Sequence, residues 1–226
     1  SGLLILTRGE FFLFYFFYVF YFFFLIKKDI KSILVSLLIV SFVVTPYLYR
    51  NYQYFDTLVL TKSFGYNLLK GNNPSFKVEG DYNVIKKTQL AEKKIKADNN
   101  YEINLDNILK EKAIEFIKKD PFNYLKFYFK KVFSFFFIDF NSMYPNYYNL
   151  IHLIPKILLS FVSLIGTILV IKKKGNYQFL SLYFIFSVLL FSVFFILPRY
   201  NLILLPIQLI LCLKFVEILL KKKINL

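Results

Sequence analysis

Glycine, asparagine and arginine crowd together directly after a membrane-length apolar run in this chain. The run ends at Thr45-Pro46-Tyr47. Arg50-Asn51-Tyr52 follows, then Gly65-Tyr66-Asn67-Leu68-Leu69-Lys70-Gly71-Asn72-Asn73-Pro74. Glycine permits close backbone approach, asparagine offers amide donors and acceptors, and arginine supplies a fixed charge that matches phosphate oxygens. The pattern reads as a loop at a membrane surface that faces something polar. Gly65, Tyr66, Asn67, Gly71, Asn72 and Asn73 are its substrate-facing residues.

The elements that must position such a loop are membrane helices. Hydrophobic residues fill 57% of the 226 positions, and the mean hydropathy is +0.52. Soluble domains use roughly 45–50% apolar residues. The 30 Phe, 18 Tyr and net charge of +15 could suggest stacking on nucleic acid. The aromatics sit inside lipid-length runs and not on a polar face, which excludes nucleic acid as a partner and leaves membrane lipids. The charge suits anionic headgroups or a lipid phosphate.

Apolar runs fall at 11–26, 32–49, 150–171, 177–197 and 202–220, each bounded by charge, proline or a polar cluster. The expected fold is therefore an all-α polytopic membrane protein with about five transmembrane helices. Its parts are two helices in 1–49, a long external loop with amphipathic helices in 50–149, and three helices plus a cytoplasmic tail in 150–226. Lys27, Lys28 and Lys31, then Lys172 to Lys174, then Lys221 to Lys223, all land on one side if every run crosses once. The positive-inside rule makes that side the cytoplasm, so Arg8, the 50–149 segment and Arg199 lie outside. The external segment carries 16 of the 29 Lys+Arg, but also 11 of the 14 acids, and long segments translocate regardless of charge.

Within that segment, 75–104 shows no clean period and reads as loop with a short helix near 84–97. Ile108, Leu109, Ala113, Phe116 and Ile117 recur at helical spacing over 106–119, with Asn104 or Asp106 as cap. Asp120-Pro121 ends that helix and starts another over 121–139. There Lys126, Lys130 and Lys131 interleave with phenylalanines, as in a helix lying in the outer interface with its lysines among headgroups.

Pro46 … Arg50-Asn51-Tyr52 … Gly65-Tyr66-Asn67-Leu68 … Gly71-Asn72-Asn73-Pro74 resembles the loop after a transmembrane helix in bacterial glycosyltransferases of the dolichyl-phosphate-mannose-protein mannosyltransferase type, members of the GT-C superfamily. Leu6-Thr7-Arg8-Gly9-Glu10 is similar to the family's Leu-Thr-Arg/Lys segment, with Gly9 where proline is frequent. Ala113 to Pro121 with Leu125 and Lys131 resembles the external helix pair, and Arg199-Tyr200 with Pro206 resembles the Arg-Tyr … Pro signature before the last helix. The resemblance implies a multi-pass, inverting enzyme of the bacterial inner membrane. It would move a sugar from a polyprenyl-phosphate donor to a glycan, lipid or protein acceptor at the external face.

On this reading Arg8, Arg50 and Arg199, with Tyr200, form a lipid-phosphate site at the external membrane face. Cationic groups there would stabilise charge that develops on the leaving phosphate. No catalytic residue is assigned, because the family's aspartate lies in a first external loop that this chain does not contain. A chain that begins at Ser1, with Met143 as its one methionine, reads as a fragment whose general base lies upstream. His152 is the sole histidine and Cys212 the sole cysteine, so neither a His-pair metal site nor an intrachain disulfide can form. No metal site is assigned in this chain, and a divalent metal in the full-length parent stays open. The competing readings are an O-antigen ligase or polymerase of related architecture, and a non-enzymatic transporter or assembly subunit.

Overall fold

The computed structural model describes residues 1–26, 29–91, 98–173 and 177–224, and all regular structure among them is helical. The helices are α1 (Gly2–Thr7), α2 (Phe11–Phe20) running into a π-turn (Tyr21–Leu25), α3 (Ile30–Phe55), α4 (Phe64–Gly71), α5 (Tyr82–Ala91), α6 (Tyr101–Lys119), α7 (Pro121–Phe136), α8 (Leu150–Lys173), α9 (Gln178–Val193) and α10 (Tyr200–Ile224). Three stretches are long and apolar enough to cross a bilayer: Ile30–Phe55, Leu150–Lys173 and Tyr200–Leu220. This is a membrane protein by the length and composition of those helices. The runs expected to cross first and fourth form the shorter apolar helices Phe11–Leu25 and Gln178–Val193. At 1.5 Å per residue, the 16 residues of α9 reach about 24 Å, short of a core of about 30 Å.

Two compact units divide the chain differently from the three expected parts: Ser1–Gly65 with Glu92–Ile108, and Tyr66–Ala91 with Leu109–Leu226. In the first unit, Ile5 of α1, Tyr15 of α2 and Val40 and Val44 of α3 share a small core, and the Tyr15 hydroxyl meets Ser36 Oγ at 3.0 Å. Helix α3 continues past Pro46, so Arg50-Asn51-Tyr52 lies on its last turns and not in a loop. It stops at Asp56, whose φ of 51° ends the helix in the left-handed conformation. Buried Asn51 ties that end down, its Nδ2 donating to Val59 O at 2.8 Å.

The second unit packs α8 against α10 and α7 against α9 around Phe135, Phe184, Val188, Leu204 and Leu211. Ser160, Ser163, Gly166 and Thr167 form the buried stripe of α8. Two of their hydroxyls bond within the helix, Thr167 Oγ1 donating to Ser163 O at 2.7 Å and Ser163 Oγ to Ser160 O at 3.0 Å. Small residues let two membrane helices approach closely and gain packing energy that lipid cannot supply. The approach is tightest at Gly166, where any Cβ would collide with the Leu211 carbonyl of α10. Gly166→Ala is therefore expected to cost about 1–3 kcal/mol. For a chain of this size that lowers the thermal unfolding midpoint by roughly 2–4 °C per kcal/mol. An alanine variant that melts in micelles with the unchanged chain would show a looser crossing.

Helix α6 begins at Tyr101, earlier than its hydrophobic period indicates. Asp98 rather than Asn104 or Asp106 organises its start, accepting from Asn100 N at 2.9 Å. Asp120 caps α7 as expected, accepting from Asn123 N at 3.3 Å, with Pro121 in the first turn. The helix expected near 84–97 is α5, and its expected remainder, 92–97, lies outside the described residues.

Candidate functional site

The richest polar construction of the second unit surrounds a lysine. Lys131 on α7 has no exposed surface, and its Nζ donates to Phe194 O at 2.7 Å, Gly71 O at 3.2 Å, Asn72 Oδ1 at 3.2 Å and Val193 O at 3.4 Å. Two of these carbonyls belong to the end of α9 and one to the end of α4, where helices leave carbonyls without intrahelical partners. One ammonium thus satisfies two helix C-termini, where the macrodipole favours positive charge. Burial pushes the Lys131 ammonium down to about 7. This corrects the interfacial reading of the α7 lysines: Lys126 is exposed, whereas Lys131 points inward on the same face as Tyr124, Phe127 and Phe135. The outward face carries Phe122, Leu125, Phe129 and Phe133, so α7 is apolar on both sides.

Asn72 and Asn73, expected to face a substrate, are buried and bond to backbone. Asn72 Nδ2 donates to Leu68 O at 2.9 Å and to Val193 O at 3.0 Å. Asn73 Nδ2 donates to Lys70 O at 2.9 Å and Lys77 O at 3.0 Å, while its Oδ1 accepts from Lys77 N at 3.0 Å. Gly71 is glycine because a Cβ there would collide with the Phe194 backbone. Gly65 belongs to the first unit, its N–H donating to Asp106 Oδ2 at 2.9 Å. Tyr66 and Asn67 are half-buried on α4, and burial, with Tyr82 adding to it, raises the Tyr66 hydroxyl.

Between α4 and the start of α10 this scaffold holds two cations. The Lys70 ammonium lies 4.4 Å from the centre of the Phe195 ring, and Gly80, at φ 89°, leaves room for its stem. Its pKa falls below the ordinary lysine value, through burial first and then repulsion from the Arg199 guanidinium. Arg199 is exposed, and neither it nor Lys70 forms an ion pair with a described acid. Tyr200 stands beside them, its ring 6.0 Å from Phe195 and 5.7 Å from Phe191. Two neighbouring cations that are not ion-paired raise the local potential and favour an anion between them.

The other two arginines of the expected site belong to the first unit. Arg8 donates to Glu10 Oε1 at 2.9 Å, which neutralises it locally, and Arg50 stacks over the Tyr54 ring at 5.5 Å. Lys70 and Lys131 are the residues that reading the sequence missed. Lys70 sat inside the glycine-asparagine string without distinction, but Lys131 was findable, because the spacing of Tyr124, Phe127 and Lys131 places it on the inner face of α7. No three His, Cys, Asp or Glu among the described residues are grouped to hold a metal ion.

No protein-family model matches this chain, and neither do curated proteins or solved structures.

Proposed function

We propose that the chain is part of a multi-pass, inverting glycosyltransferase that uses a polyprenyl-phosphate sugar donor at the external face of a bacterial inner membrane. The observation that carries the reading is the Lys70–Arg199 pair: Lys70 held over Phe195 and exposed Arg199 just before a membrane-length helix, neither ion-paired with a described acid. A lipid-linked phosphate needs positive charge at the membrane boundary and apolar surface beside it, and α10 supplies the latter. Five crossings, the external position of 50–149 and the cytoplasmic lysine clusters belong to this proposal. Under it Asn72, Asn73 and Lys131 build the site's frame, and Lys70, Arg199 and Tyr200 face the donor.

Photo-crosslinking tests it. A polyprenyl phosphate with a photoreactive group next to its phosphate should attach within residues 64–71 and 194–202, and excess unlabelled lipid phosphate should compete. Attachment spread along the lipid-facing surfaces of α3 and α8 would refute the site.

A further inference from the structure

A small, partly open cavity adjoins the cation pair, and the same two stretches of chain build both. Gly80 packs on the Lys70 stem while Glu79 lines the cavity, and Phe195 lies under the Lys70 ammonium while Ile196 to Pro198 line the cavity. About 10 Å³ is open to the centre of a water molecule, room for about one water or one hydroxyl. The rest of the polar wall comes from Ser134, Asp139, Tyr147, Lys156 and Asn201.

The hydrogen bonds of that wall are incompletely used. Both Glu79 oxygens are engaged, by Ser142 Oγ and by Met143 N at 3.1 Å. Asp139 is only 4% exposed, and its Oδ1 accepts from Asn141 N at 3.1 Å. Its Oδ2 accepts from no described residue. Lys156 Nζ donates to Ser134 O at 3.0 Å, which leaves two of its three hydrogens unspent. The Tyr147 hydroxyl accepts from Asp139 N at 2.8 Å and keeps its own proton to donate. The Asp139 carboxylate and Asn201 Oδ1, which has no hydrogen-bond partner among the described residues, thus line one cavity with an ammonium and a phenol that can still donate. A hydroxyl is the smallest group that serves both.

We infer that this cavity is a subsite for one hydroxyl of a sugar whose phosphate is held by Lys70 and Arg199, with Asp139 accepting from that hydroxyl and Lys156 donating to it. The inference rests on the proposed phosphate site, and the test separates the two. The full chain in micelles is titrated with inorganic phosphate and with the 1-phosphates of glucose, mannose and galactose, and binding is read calorimetrically. At least one sugar phosphate should bind roughly tenfold tighter than phosphate, the scale of one hydrogen-bonded pair with charged partners. Asp139→Asn, which keeps the shape and the Asn141 contact, should abolish that advantage and leave phosphate affinity unchanged. Lys156→Met should do the same, and unchanged phosphate affinity certifies that either variant is folded. Sugar phosphates that bind no tighter than phosphate would overturn the subsite and leave the cation pair standing, as would an advantage surviving in both variants. Failure of inorganic phosphate and all sugar phosphates to bind would overturn the cation pair itself and the subsite with it.

Discussion

Methionine in place of Lys131 is expected to destabilise the second unit by about 3 kcal/mol, because each buried carbonyl left without its donor costs about 1–3 kcal/mol. Methionine matches the lysine stem, so packing changes little. Gly71 O, Phe194 O and Asn72 Oδ1 would lose the Lys131 donor, while Val193 O keeps Asn72. The variant also isolates a pH effect. Lys131 is held at about 7 in the folded chain by burial, against an ordinary value of 10.5. Between these values the folded state binds fewer protons than the unfolded state, so stability rises with pH across that window. The cost of burying the ammonium is complete below pH 7 and relieved as pH climbs towards 10.5. Denaturant unfolding in mixed micelles at pH 6.5, 8 and 9.5 should show the rise in the unchanged chain and lose that contribution in Lys131→Met. An equally stable methionine variant, or the same pH dependence in both chains, would refute this account.

The sequence made the membrane helices legible because they rest on length and hydropathy, which tertiary context seldom overrides. Ile30–Phe55, Leu150–Lys173 and Tyr200–Leu220 fall where the apolar runs put them. What hydropathy could not show is where α9 stops. Residues 194–197 are as apolar as the helix before them, yet the backbone unwinds there. It does so because outside partners satisfy it: Lys131 and Asn72 take the α9 carbonyls, and Val78 O accepts from Ile196 N at 2.9 Å. Backbone that leaves a helix among apolar residues holds only where its polar groups find such partners. The candidate site was half legible for a related reason. Glycines and asparagines mark special backbone whether it serves a ligand or the fold: Gly71 and Asn72 serve the end of α9, and Asn73 the turn to Lys77. Arg199 stood out by its charge at a helix boundary, but its partner Lys70 became visible only once α4 and the 194–199 segment were brought together.

That partnership carries the largest expected effect on activity. In membranes carrying the protein, Arg199→Ala should lower the rate of sugar transfer at saturating donor by roughly 10²-fold, the scale for losing one contact to charge that grows in the transition state. Lys70→Met should lower it by a comparable factor while keeping the stem over Phe195. If both cations touch one phosphate, the double variant should lose less than the product of the single losses, since contacts to a shared group are not additive. Arg199→Lys should recover only part of the rate, because lysine keeps the charge but not the planar, bidentate fork. Arg8→Ala should change the rate less than twofold: its charge is already met by Glu10 at 2.9 Å, and a surface pair of that kind is worth about 0–1 kcal/mol. The ordering separates the pair from a general need for positive charge at the membrane face. A chain that assembles normally and transfers sugar equally well without Arg199 would leave the two cations as headgroup anchors, whereas equal losses at Arg8 and Arg199 would mean a general need for positive charge at the membrane face.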